Sequence, residues 1–221
     1  MKLTTLLLSL VFISGPFSTS ESLKDHYKPF EGVVVYSIEY IEVPDEVKGM
    51  ESMLPQTTSM SISGDMVRVE QEVMGGSQIV IVDNQKKESH ILMDMMGQKL
   101  DIFLSKAEME KAEKEAPEMI VKELSGTKTI LGYKCKEALI TDPDTGNTQK
   151  VFYTNKLEID HKDFKSLKGF PLEYYTTQQG MQLRMTATEV TKKDLPATYF
   201  EVPGGYQRMT MDELNEMMGG N

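Results

Sequence analysis

Turn-forming residues recur along this chain, at their shortest intervals between Ser63 and Gly97. They stand at Ser63-Gly64-Asp65, Gly75-Gly76, Asp83-Asn84, Met96-Gly97, Asp144-Thr145-Gly146-Asn147 and Gln179-Gly180. Glycine, asparagine and aspartate tolerate the positive φ angles that tight hairpins demand. Between the turns lie β-like runs rich in Val, Ile and Met, at Thr57 to Ile62, Met66 to Met74, Gln78 to Val82, Ser89 to Met95 and Lys99 to Leu104. Runs this short, joined this tightly, predict neighbours that pair antiparallel in a meander. A longer strand comes first, because Phe30 to Ile41 alternates, with Phe30, Val34, Tyr36, Ile38 and Tyr40 sharing one face. Further strands are predicted at Met119 to Leu124, Thr127 to Leu131, Tyr133 to Thr141, Gln149 to Thr154, Leu172 to Thr177 and Met181 to Val190. In the last, Met181, Leu183, Met185 and Ala187 face one way while Gln182, Arg184, Thr186 and Thr188 face the other. That pattern predicts a sheet with one wet side.

Two helices interrupt the strands. Ser105-Lys106-Ala107-Glu108 is a capping box, followed by strong helix formers to Ala116 until Pro117 stops them. Its apolar stripe of Ala107, Met109 and Ala112 is thin, so its lysines and glutamates read as a solvated face. Thr210-Met211-Asp212-Glu213 is a second capping box, and Met211, Leu214, Met217 and Met218 form a stripe before Gly219-Gly220. The fold class is mainly β with few helices: one large, curved antiparallel sheet, a half-open barrel closed by helices. No repeat or low-complexity linker divides the chain, so residues 21–221 read as a single domain.

Lys2 precedes the apolar run Leu3 to Ile13, and Ser18-Thr19-Ser20 follows. Residues 1–20 therefore read as a cleavable secretory signal, too short in its apolar run to span a bilayer comfortably. An uncleaved anchor is the alternative. Cleavage places the mature protein in the periplasm or outside the cell, with no transmembrane segment. The formal net charge of -10, from 24 Lys plus Arg against 34 Asp plus Glu, argues against a nucleic-acid partner. One cysteine cannot close an internal disulfide, so the core has to suffice. That residue, Cys135, shares a strand face with Tyr133 and Leu139, with Glu137 the misfit, and reads as a buried, inert thiol, an intermolecular disulfide or a redox role being the alternative.

The chemistry is bounded more firmly than it is identified. No G-x-S-x-G elbow occurs, and His26, His90 and His161 each stand alone in sequence. Asp142 to Asn147 resembles a calcium loop only superficially, because its glycine falls one place early and Tyr153 stands where a bidentate glutamate is needed. Gly204-Gly205 leads to no Lys-Ser or Lys-Thr pair and makes no phosphate cradle. We assign no catalytic residues, no metal ligands and no cofactor. The unusual feature is 17 methionines with no tryptophan. Thioethers suit Cu(I), but Met93, Met95 and Met96 do not share one strand face. Methionine also repacks around variable apolar shapes. A sheet this rich in it suggests a non-enzymatic protein that binds an apolar small molecule or an acylated protein on its concave face. Val34, Tyr36, Ile38 and Tyr40, Met93 and Met95, and Met181, Leu183 and Met185 would line that face. The alternative is a structural or interaction module whose methionines fill a wide core and leave no cavity. A third reading, a hydrolase using His90 and acidic residues, requires those groups to converge in space.

Three stretches carry a more specific likeness: Gly126-Thr127-Lys128-Thr129-Ile130-Leu131-Gly132-Tyr133-Lys134-Cys135-Lys136, Val151-Phe152-Tyr153-Thr154 and Gly169-Phe170-Pro171-Leu172-Glu173. Their order and spacing resemble the family known as domain of unknown function 4412. The resemblance extends to Phe30-Glu31-Gly32, to Gly64-Asp65-Met66-Val67-Arg68 and to Phe200-Glu201-Val202-Pro203-Gly204-Gly205-Tyr206. Tyr-Lys-Cys and Gly-Leu-Pro motifs are similar to those of the GLPGLI family, with Phe170 here replacing the leucine. The resemblance implies a secreted or envelope protein of Gram-negative bacteria, with an architecture like that of periplasmic lipoprotein carriers: an incomplete antiparallel barrel closed by helices around an apolar cleft. It implies no catalytic residue, and fold-level analogy does not transfer lipoprotein carrying.

Overall fold

The computed structural model describes residues 30–217, apart from residues 96, 158–166, 168 and 179. The leader read at residues 1–20, His26, Met96, His161, Met218 and the closing Gly219-Gly220 lie outside the described residues. The strands are β1 (Gly32–Glu42), β2 (Thr57–Ser63), β3 (Met66–Val73), β4 (Gly76–Asp83), β5 (Glu88–Met95), β6 (Gln98–Leu104), β7 (Ile120–Ile130), β8 (Tyr133–Thr141), β9 (Thr148–Thr154), β10 (Phe170–Gln178), β11 (Met181–Lys192) and β12 (Gln207–Thr210). The helices are α1 (Lys106–Glu115) and α2 (Met211–Met217). Neither is long and apolar enough to cross a membrane.

All the strands join one open 12-stranded sheet in the order β12-β6-β5-β4-β3-β2-β1-β11-β10-β9-β8-β7. The chain passes from β1 through residues 43–56 to β2, winds from β2 to β6 by hairpins and crosses through α1 to the opposite edge. It then returns strand by strand until β11 pairs antiparallel with β1. The first strand thus ends at the middle of the sheet. Both capping boxes form: Ser105 and Glu108 satisfy each other's backbone N–H groups at α1, and Thr210 and Glu213 do the same at α2. The stripe of α1 shrinks to Met109, because Ala107 and Ala112 are exposed.

Three local expectations are corrected. Met119 to Leu124 and Thr127 to Leu131 belong to one strand, β7, whose register with β8 breaks between Glu123 and Thr127. Strand β8 does not keep one buried face. Cys135 is buried in its first half and Ala138 and Ile140 in its second, while Leu139 is only half-buried. The switch falls at Glu137, the residue that broke the alternation. A β-carbon on Gly126 would lie 1.9 Å from Glu137 Oε2, so the missing side chain makes room for this carboxylate, which Lys150 meets at 3.2 Å. Finally, the sheet is not simply wet on one side.

We call the face bearing Tyr36 the front. On the back, residues 195–206 run as a strap from β11 toward the far edge, packing Phe200 on Ile79, Ile81 and Leu92, with Leu195, Tyr199, Val202 and Tyr206 around them. Strand β4 is therefore covered on both sides, and Gln78 to Val82 are all buried rather than alternating. Arg68 fastens the strap. Its guanidinium lies 4.7 Å from the Tyr199 ring centroid and donates to the Tyr199 carbonyl at 2.9 Å and to Glu70, while the Tyr199 hydroxyl donates to Glu70 at 2.7 Å. The strap delivers β12 to the edge, where it pairs parallel with β6. A four-residue strand reached by a long crossover carries no hairpin signal, which is why β12 was not expected.

Candidate ligand-binding face

Strand register sorts the side chains of β1 to β6 by charge. Among the front-facing positions, from Val34 to Tyr40 on β1, Thr58 to Ile62 on β2, Val67 to Gln71 on β3, Gln78 to Val82 on β4, Ser89 to Met95 on β5 and Leu100 to Leu104 on β6, none is charged. Glu39, Arg68, Glu70, Asp83, His90, Asp94, Lys99 and Asp101 all project from the back. One apolar row crosses the front through Val34, Met60, Val69, Val80, Ile91, Ile102 and Met209.

The nine residues expected to line this face fall into two groups. Val34, Tyr36, Ile38, Met181, Leu183 and Met185 belong to the main core, with Tyr40 packed against it. The register sets Ile38 against Met185 and Tyr40 against Leu183. Val34, Met181, Leu183 and Met185 are 0 % exposed, so the protein's own side chains enclose this part of the face. Part of the cover is the segment after β1, which contributes Val43, Val47 and Leu54. The two tyrosines tie it together. Tyr36 donates to the Pro171 carbonyl at 2.8 Å and meets Tyr174 edge-on; Tyr40 donates to the Pro55 carbonyl at 2.8 Å. Burial raises both phenols, Tyr40 to about 12, so both stay protonated donors.

Met93 lies several strands away in a separate cluster with Ile102, Met209 and Leu214, with Met95 packed against it, so the front of this end is capped by α2. Between the two groups Met60, Val69, Ile91 and Leu104 are only half-buried. Two amides sit beside them. Gln71 Nε2 donates to Gln78 Oε1 at 2.7 Å. Gln78 is 2 % exposed, and its Nε2 has no hydrogen-bond partner. The sequence carries a faint signal of the pair, since Gln71 and Gln78 are the polar members of the series Val67, Val69, Gln71 and Gln78, Val80, Val82.

Two further polar clusters lie on the back, beside the Arg68–Glu70–Tyr199 network. His90 Nδ1 lies 2.8 Å from Asp101 Oδ1, and Arg208 Nε donates to the other oxygen at 3.2 Å while its guanidinium lies over Phe103. A hydrolase reading asks for such a pairing of His90 with an acidic residue inside a cleft. The strand partners of His90 are Ile81 and Phe103, which offer no nucleophile, and the contact with Arg208 fastens β12 to the sheet. Among the described residues no group of three or more His, Cys, Asp or Glu side chains is placed to hold a metal ion.

The second cluster gathers the three quoted motifs. Lys128 pairs in register with Cys135 and Phe152 with Glu173. Lys128 Nζ lies 2.6 Å from Glu173 Oε2 and 5.5 Å from the Phe152 ring centroid, and Thr186 Oγ1 donates to Glu173 at 3.3 Å. Burial pushes the Cys135 thiol up from its ordinary 9.0 to about 11, so at neutral pH it is a protonated, weak nucleophile. Native protein at pH 8 is expected to resist an aromatic disulfide reagent for hours, and denatured protein to release one equivalent at once. Stoichiometric labelling of the native protein within seconds would overturn this assignment. Because the folded thiol titrates above the unfolded one, its contribution to stability is present below about pH 9 and is lost as pH rises toward 11.

Two solved structures of PNGF-II, in the P21 and C2 space groups, share this fold with a TM-score of 0.51 and identities of 16 % and 17 %. The likeness covers 84 % of this chain and 32 % of the PNGF-II chain, so the protein spans about a third of that relative. No curated protein matches the sequence. The model of the family described as Domain of unknown function (DUF4412) matches residues 47–167 and 155–206. That match bears on the first of the two resemblances and not on the GLPGLI one. Since it spans well over half the chain, including all three motifs that meet around Lys128 and Glu173, the protein belongs to the DUF4412 family.

Proposed function

We propose that this protein is a non-enzymatic secreted or periplasmic binder that holds an apolar, lipid-like molecule or an acylated partner against the front of its sheet. In this reading the sheet bends into a half-open barrel, with α1 and α2 closing it. Register shifts between β1 and β11, β9 and β10, and β7 and β8 support the bend, because bulges curve the strands that carry them. The observation that carries the reading is the half-buried row of Met60, Val69, Ile91 and Leu104 on a face without charge. Such a surface favours apolar contact, and thioethers adapt to it. The PNGF-II likeness adds fold and nothing of that protein's activity.

A second reading, a structural or interaction module with a filled core, is favoured by the complete burial of Val34, Met181, Leu183 and Met185. Mass spectrometry under native and then denaturing conditions, with organic extraction, separates the two. The binder is expected to release a stoichiometric apolar molecule. A clean apo mass, with no uptake of added lipid, overturns the proposal in favour of the module.

A further inference from the structure

We propose that the molecule held on the front face is a small neutral acyl ester whose carbonyl oxygen is received by Gln78 Nε2. This rests on the reading of the face as a binding surface and names the class of ligand. Gln78 is 2 % exposed, and its register partners on the front are Gln71 and Met93. Its oxygen already accepts from Gln71 at 2.7 Å, while its nitrogen carries two hydrogens and meets no acceptor. An amide donor removed from water and left unpaired is unfavourable, and an oxygen brought to it relieves that cost.

Three features select the ligand. The neighbouring front positions, Val69, Val80, Ile91 and Met93, are apolar, so the body of the ligand is a hydrocarbon. No charged side chain faces front from β1 to β6, so a carboxylate would lose its water without gaining a counter-charge; the acceptor is therefore neutral. The depth of Gln78 favours a small molecule over an acylated protein. The carbonyl that joins an acyl chain to a protein is tethered to bulky backbone, which cannot follow it to a site this enclosed.

The test uses the full chain, delipidated and equilibrated with methyl oleate, with sodium oleate, or with 1-heptadecene, each delivered from cyclodextrin. Lipid retained after gel filtration is quantified by gas chromatography. Methyl oleate is expected to be retained about tenfold better than heptadecene, and oleate no better than heptadecene. Gln78→Met is expected to lower ester retention to the hydrocarbon's level while hydrocarbon retention persists. Equal retention of ester and hydrocarbon by the unaltered protein overturns the anchor and leaves the binding face standing. A preference for oleate overturns the neutral class, and an ester preference that survives Gln78→Met removes the role of Gln78. Retention of none of the three overturns the binding face itself. The comparison among probes on the unaltered protein needs no variant, so it stands whether or not Gln78→Met folds.

Discussion

Leu183→Asp is expected to abolish cooperative folding rather than to empty a binding cleft. Leu183 is 0 % exposed, and its strand partners are Tyr40 on one side and Thr176 on the other, neither of which offers a cation. Truncating a leucine in such a site to alanine costs about 2–5 kcal/mol. An aspartate there must in addition either leave water as an ion or bind a proton in order to bury, which adds several kcal/mol. The sum approaches the whole stability of an ordinary domain, about 5–15 kcal/mol. Far-UV circular dichroism and urea titration check it. A variant that melts cooperatively at the wild-type midpoint would show that Leu183 lines open space, and would restore the β1 and β11 positions to the binding face.

What could be read from sequence, and what could not, follows from the range of the interactions concerned. Hairpin strands such as β2 to β6 were legible because alternation and turn chemistry are properties of neighbouring residues, and both capping boxes lie within four residues. Alternation also showed which side of β1 and β11 is apolar. It could not show what covers that side: Tyr36 finds its acceptor at Pro171, far along the chain, and Tyr40 is held by the segment around Pro55. The continuous burial of Gln78 to Val82 depends on Phe200, which arrives from a strap with no periodicity of its own. Register puts Met93 and Met95 on the same side of the sheet as Tyr36, but their neighbour Leu214 comes from α2, so their separation from the main core belongs to tertiary packing. Gln78 was legible only as a polar residue at an apolar position. The motifs around Lys128, Cys135 and Glu173 were visible as a likeness, whereas their meeting on the back of the sheet depends on the order of strands β7 to β11.

That meeting accounts for the second large effect. Lys128→Met is expected to cost about 3 kcal/mol, because it strands Glu173, whose side chain is 3 % exposed, without its cation. The figure sits at the low end for a broken buried pair, since Lys128 itself is 43 % exposed and water already reaches it. Thr186 still donates to the stranded carboxylate, but one neutral hydroxyl does not replace an ammonium. The double variant Lys128→Met with Glu173→Leu removes both charges and is expected to recover most of the loss, so the double-mutant cycle should show strong coupling. Urea midpoints of the four proteins measure the effect. A Lys128→Met deficit under about 1 kcal/mol, the size of an exposed ion pair, would mean that Glu173 is served by water and that the three motifs meet for packing alone.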